Sequence, residues 1–511
     1  MIFRNIFLVT SFASALVNCI FFRHGHLENG IFSIDQIFFN DKSFSNTTKV
    51  AANFNYFQQN LDHFHHQQNI TWLQRYWVNT KYYKPGGPAF LLIGGEGPAI
   101  SSWIQESEKY PKDWMRKAQT FGAICFMLEH RYYGESHPTD NMKTENLRWL
   151  TSDQALADVA NFISYATTRY NLQGSRWITF GGSYAGLLSG WSRLKYPHLI
   201  TGAVASSAPF HIKVNFHEYL DSVFDSIKNE NANCASEIEN AVLQMRKLLR
   251  TEYGRREMKE KLSLCKKIKQ AEGKDVQNLF ATVADMFAFI VQYNQPNAVM
   301  SMKNMCEKLT NLSSGDPVTR LGVIIRWMLR FTSSLCLNFR YSDMIAELSD
   351  TKWTKSSSKL FLFKQRTELF ALQHDNGNIK LAQNLAIFKQ QIHFIMLSLE
   401  PMIYSQYFFD ICKDTFGKQF SEATVHRGAF EKNVRYGGKQ LKKSNIILIN
   451  GSVDPWHRLG LVNNPHPLSK AILINGSSHC TDMYPELTSD PETLIKARRE
   501  ITGHIASWIL Q

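Results

Sequence analysis

The chain is predicted to be an α/β protein, a parallel sheet domain split by a large helical insertion. Three observations carry that reading. Short apolar runs alternate with helical stretches up to about residue 211, the pattern of βα units whose sheet is covered on both faces. From about 212 to 430 the apolar residues fall at helical spacing, as in Ile238, Val242, Met245 and Leu249, with no convincing strand run. Strand runs then resume at Asn445-Ile-Ile-Leu-Ile449 and Ala471-Ile-Leu-Ile474.

In chain order, Arg4 precedes an apolar stretch from Ile6 to Val17, with Ala13 and Ala15 ahead of a plausible cleavage point. That stretch is too short for a membrane span but suits a signal peptide, so 1–19 is assigned as a signal and 20–50 as an N-terminal segment or propeptide. No later segment reaches the length of a span, which predicts an exported protein, extracellular or lysosomal. Sequons at Asn46, Asn69 and Asn311 lie in polar surroundings and are candidate glycosylation sites, whereas those at Asn450 and Asn475 end apolar strands and are expected to be too buried. Thr71 to Asn79 reads as a strand, followed by the turn signal Pro85-Gly-Gly-Pro88. Ala89 to Ile93 and Ala123 to Leu128 are apolar strand runs, Ser152 to Tyr165 is a helix, and Gly202 to Ser206 is a further strand. The sheet domain therefore comprises 51–211 and 431–511, and the helical cap 212–430.

The 511 residues are enough for about two to four domains. Hydrophobic content of 44% and charge of 20% describe a folded globular chain. The net charge of +13 is concentrated between Arg246 and Lys274, but Glu252, Glu257 and Glu260 interleave, so a solvated helix face explains it and nucleic acid is not an expected partner. Cys234, Cys265, Cys306 and Cys336 cluster in the helical region as a two-disulfide set for an oxidising compartment, with three pairings open to them. Cys125 reads as a buried small hydrophobe. His63, His65 and His66 lack a second ligand group at useful spacing and read as surface histidines. No metal and no cofactor is expected.

The chemistry centres on Trp177-Ile-Thr-Phe-Gly-Gly-Ser183-Tyr-Ala-Gly186. A strand from Trp177 to Phe180 runs into Gly181 and Gly182, which permit a sharp turn with unusual backbone angles, and a helix spans Tyr184 to Lys195. A serine at such a corner is a nucleophile elbow. Ala185 stands where a glycine is usual, and its small side chain keeps helix and strand close. The two late strand runs end in loops carrying Asp454 and His479. The order Ser183, Asp454, His479 is that of α/β-hydrolases, so the fold expected is an α/β-hydrolase with a large inserted helical cap. In that arrangement His479 takes the serine proton, while Asp454 fixes the imidazole tautomer. Alone, Asp454 before Pro455 could be a turn initiator and His479 an ordinary loop histidine.

The chain resembles the lysosomal Pro-Xaa carboxypeptidase family of serine peptidases, which includes dipeptidyl peptidase II and thymus-specific serine protease. The matching segments are Gln59-Asn-Leu-Asp-His-Phe64, Gln74-Arg-Tyr76, Gly94-Gly-Glu-Gly-Pro98, Glu129-His-Arg-Tyr-Tyr-Gly-Glu-Ser136, Leu150-Thr-Ser-Asp-Gln-Ala155, Gly181 to Gly186, Ala205-Ser-Ser-Ala-Pro209 and Asp454-Pro-Trp456. Gly476 to Met483 and Trp191 to His198 look most similar to the thymus-specific branch. The resemblance implies exopeptidase action beside proline, on a C-terminal Pro-Xaa or an N-terminal Xaa-Pro, with peptides as partners; a homodimer is compatible with it. It implies an oxyanion hole from the N–H of Tyr184 and one of the Gly95–Glu96 turn, and a substrate pocket walled by Trp456 with Leu187. It further implies the pairs Cys234–Cys306 and Cys265–Cys336. One departure falls in the cap, where Arg366 replaces a family cysteine, so the family's disulfide to the position of Cys412 is not expected. A serine esterase on the same fold and an idle peptide-binding protein are the competing readings.

Overall fold

A computed structural model describes residues 54–510 apart from 66–68, 106–110, 215, 333, 354–358 and 360–404. The expected signal and N-terminal segment, Asn46, His66, Arg366 and the 360–404 part of the expected helical insertion lie outside these residues.

Eight strands form one sheet: β1 (Phe54–Asn60), β2 (Thr71–Asn79), β3 (Ala89–Ile93), β4 (Ile124–Leu128), β5 (Trp177–Gly182), β6 (Gly202–Ser206), β7 (Ile446–Gly451) and β8 (Lys470–Ile474), in the spatial order β1-β2-β4-β3-β5-β6-β7-β8. From β4 to β8 neighbouring strands are parallel. The expectation of a parallel sheet needs one correction. β2 runs antiparallel to both β1 and β4, and the link from β1 to β2 is too short for the crossover that a parallel pair would need. The α/β-hydrolase fold is thus built by 54–211 and by the C-terminal segment, with Glu492–Leu510 as the closing helix.

The inner strands are apolar throughout because both faces are covered. In β3, Ala89, Leu91 and Ile93 enter one core layer and Phe90 and Leu92 the other, the period-two signature of a strand. Phe90 packs on Phe180 with ring centroids 5.0 Å apart. Truncating such a fully buried ring to alanine costs about 3–5 kcal/mol.

Between β6 and β7 all described regular elements are helical, from Glu218–Glu230 to Glu422–Tyr436. Ile238, Val242, Met245 and Leu249 are buried on one face of helix Ala232–Leu249, which Asn231 caps by accepting the Cys234 N–H. Disulfides join Cys234 to Cys306 and Cys265 to Cys336, stapling the helical region. Helix Glu422–Tyr436 is fastened to the sheet domain by Asp153, which accepts from Lys432 at 2.8 Å, Arg435 at 2.7 Å and Tyr436 at 2.6 Å. Burial opposes the Asp153 charge, but these three partners outweigh it and hold the carboxyl far below its usual range. No helix among the described residues is long and apolar enough to cross a membrane.

Two expectations are overturned. Asn475 is exposed, because β8 is the sheet edge and the residue sits in the turn that leaves it, whereas Asn450 is 2% exposed as expected. His63 is not a surface histidine. Its Nε2 lies 2.8 Å from Asp158, a buried carboxylate that also accepts from Arg131. His65, Asn69 and Asn311 are exposed.

Candidate active site

Ser183 stands between β5 and helix Tyr184–Lys195 with φ 58° and ψ −124°, a conformation rare for any residue with a side chain. The unusual angles therefore fall on the serine, not on Gly181 and Gly182 as the sequence suggested. Those glycines provide clearance. A Cβ on Gly181 would lie 2.1 Å from the Ala185 carbonyl oxygen, and one on Gly182 would lie 2.7 Å from Met483 Sδ. The turn is locked by the Ser183 N–H donating to the Ser206 carbonyl at 2.8 Å and the Leu187 N–H donating to the Ser183 carbonyl at 3.0 Å.

Asp454 and His479 follow β7 and β8, whose parallel register places both loops at the sheet edge where β5 ends. Asp454 both starts a turn and meets His479. Its Oδ1 accepts the Trp456 N–H at 3.1 Å, capping the turn Pro455–Arg458, and its Oδ2 lies 2.7 Å from His479 Nδ1. The two side chains are fully buried. Burial works against an imidazolium, but the Asp454 carboxylate, with Cys480 beside it, outweighs it and raises the ring's pKa above the ordinary value. Ser183 Oγ and His479 Nε2 are both buried, and neither has a hydrogen-bond partner among the described residues.

Two loops flank Ser183. The Tyr184 N–H is in the first turn of its helix, where amides lack an intrahelical acceptor, and Gly95 lies against the same helix end, its Cβ position 3.6 Å from Ala185 Cβ. The Gly94–Pro98 loop is fastened by Glu129. This buried carboxylate accepts from the Ala99 N–H at 2.9 Å, Ser136 Oγ at 2.7 Å and Arg75 Nε at 3.1 Å. Gly134 is required beside it, since at φ 61° any Cβ would strike Glu129 Oε1. His130, the next residue, meets the Tyr184 hydroxyl through Nε2 at 3.1 Å.

On the cap side, Trp456 is 1% exposed and packs against Phe216 and Tyr219 at centroid distances of 5.6 and 5.1 Å. Leu187 is fully buried on the elbow helix. Gln292, at the end of helix Lys274–Gln292, joins cap to site. Its Oε1 accepts from Trp456 Nε1 at 2.8 Å and from the Tyr219 hydroxyl at 2.9 Å, and its carbonyl accepts the His479 N–H at 2.9 Å. Tyr293 sets its ring edge-on to His479. The sequence reading named neither residue, and helical periodicity alone marks them only as core. It also passed over Asp482, which accepts from Ser206 Oγ at 2.5 Å and so ties the His479 loop to the strand beside the elbow.

An imidazole held by a buried carboxylate beside a serine on an elbow is an arrangement able to remove a proton from a hydroxyl. The family described as serine carboxypeptidase S28 matches residues 59–501. Human thymus-specific serine protease is 30% identical over 88% of this chain and 86% of its own length, and its Mus musculus counterpart is 31% identical over the same shares. The lysosomal Pro-X carboxypeptidase of Mus musculus is 28% identical over 89% of each chain.

Proposed function

The chain belongs to the serine carboxypeptidase S28 family and is a serine-type peptidase, and from that premise we propose that it is an exopeptidase cleaving peptide bonds next to proline through Ser183, His479 and Asp454. The 2.7 Å contact between Asp454 and His479, buried beside the elbow serine, carries this reading. Ser183 Oγ attacks the scissile carbonyl carbon while His479 Nε2 takes its proton. The oxyanion is received by the Tyr184 N–H and an N–H of the Gly95–Glu96 turn, the kind of donor pair that stabilises charge as it develops. The proton then passes to the leaving amine, and a water activated by the same imidazole hydrolyses the acyl-enzyme. The unmade Ser183–His479 bond suits a site that tightens on substrate binding. Trp456 and Leu187 are assigned to the proline pocket, where a flat indole face complements a pyrrolidine ring. A secreted or lysosomal location accords with the two disulfides.

The reading is tested by mass-spectrometric product analysis of one peptide ending in Pro-Xaa and one beginning Xaa-Pro, with Ser183→Ala as control. Loss of one C-terminal residue or release of an N-terminal dipeptide, absent in the variant, supports it. Cleavage away from proline, or cleavage that survives in Ser183→Ala, rejects it.

A further inference from the structure

Helix Lys274–Gln292 carries one residue that its surroundings do not explain. Between Asn278 and Gln292 every residue but Asp285 is buried; Asp285 keeps part of its surface. No hydrogen bond or ion pair reaches its carboxylate among the described residues, although buried or half-buried acids ordinarily acquire a partner. Asp285 stands seven residues before Gln292, two turns back on the same helix face. That face is the one Gln292 presents to Tyr219 and Trp456. The Asp285 charge acts on the Tyr219 hydroxyl, which also feels Asp454, so the carboxylate shares the electrostatic environment of the candidate triad.

We propose that Asp285 is a substrate-binding residue, an anchor for a cationic group of the peptide held about two helical turns from the Gln292–Trp456 contact. The inference rests on the peptidase reading of the site. Asp285 is only half-buried as a residue, and a nearby ammonium or guanidinium would supply the charge partner that the fold withholds. Burial alone pushes the carboxyl up to about 8, the behaviour of an acid whose counter-charge is missing. The cation is either the α-ammonium of the substrate or a basic side chain near the cleaved bond.

Four peptides of one proline-containing sequence separate these sources, with free or acetylated N-terminus and with lysine or norleucine before the proline. Their affinities are measured by calorimetry for Ser183→Ala and for the same protein carrying Asp285→Asn or Asp285→Glu, and their turnover is measured with the wild type. Binding of one cationic form about ten- to a hundredfold tighter than its neutral counterpart, lost in Asp285→Asn and at least partly retained in Asp285→Glu, supports the anchor. Equal binding of charged and neutral forms, or a preference that persists in Asp285→Asn, overturns it. If the wild type leaves all four peptides uncut, the proposed proline specificity fails while the binding comparison still decides the role of Asp285.

Discussion

Asp482 accepts the Ser206 hydroxyl at 2.5 Å, and the Ser206 carbonyl in turn accepts the Ser183 N–H at 2.8 Å. The loop that carries His479 and the elbow that carries Ser183 are therefore fastened to the same residue of β6. Asp482→Ala would leave the Ser206 hydroxyl without that acceptor and loosen the histidine loop. The expected result is a fall in kcat of about tenfold or more at nearly unchanged KM, with about 1–3 kcal/mol lost in denaturant unfolding.

Asp482 also gives the fold a pH dependence. Burial first, with Asp113 adding to it and Ser206 and Arg498 opposing, pushes its carboxyl from 3.8 up to about 6. Because folding favours the protonated form, its contribution is complete below the ordinary value and is lost as pH rises through 6. Asp482→Asn keeps a neutral acceptor for Ser206. Its unfolding free energy, measured relative to wild type, should rise by about 1–3 kcal/mol between about pH 4 and pH 7. A difference that stays flat over this range would contradict the assignment.

Asp454→Asn should act on rate and pH profile together. Replacing the carboxylate disturbs the tautomer and removes the charge that raises the His479 pKa, so kcat should fall by about 10³–10⁴. The base must be neutral to accept a proton, and the acidic limb of the residual activity should therefore move to lower pH. A limb that stays in place would mean that another group sets it.

Glu129→Gln tests the support of the Gly94–Pro98 loop. It leaves the Arg75 guanidinium without its charge partner and weakens the grip on the Ala99 N–H. Removing one member of a buried pair costs about 3–5 kcal/mol. A lower thermal midpoint should accompany reduced kcat, read by calorimetry and steady-state kinetics.

The disulfide between Cys265 and Cys336 closes a sequence separation of 71 residues. Replacing both cysteines by serine should lower stability by about 2–5 kcal/mol in urea unfolding, through a less constrained unfolded chain.

The sheet, and the places of Ser183, Asp454 and His479 after its strands, were legible because each rests on local pattern. Apolar runs mark β5, β7 and β8, and Ser183, Asp454 and His479 each stand just beyond one of them. Where reading failed, the cause was tertiary. Nothing local says that β8 is an edge strand and so exposes Asn475, or that His63 meets Asp158 across 95 positions. Gly181 and Gly182 signalled a turn, but only the packed helix shows that they supply clearance while Ser183 takes the strained angles. Gln292 and Asp285 lie inside a helical pattern that sequence reading assigns to core, and Gln292 meets Trp456 and His479 only through tertiary packing.

The most direct test of the account is turnover of the Pro-Xaa and Xaa-Pro peptides by wild type, Ser183→Ala and His479→Ala side by side. The account predicts a single proline-directed product from the wild type and a loss of about 10³-fold or more in both variants, since the two residues act as one unit. Activity retained in either variant would contradict the central claim that Ser183 and His479 carry the reaction.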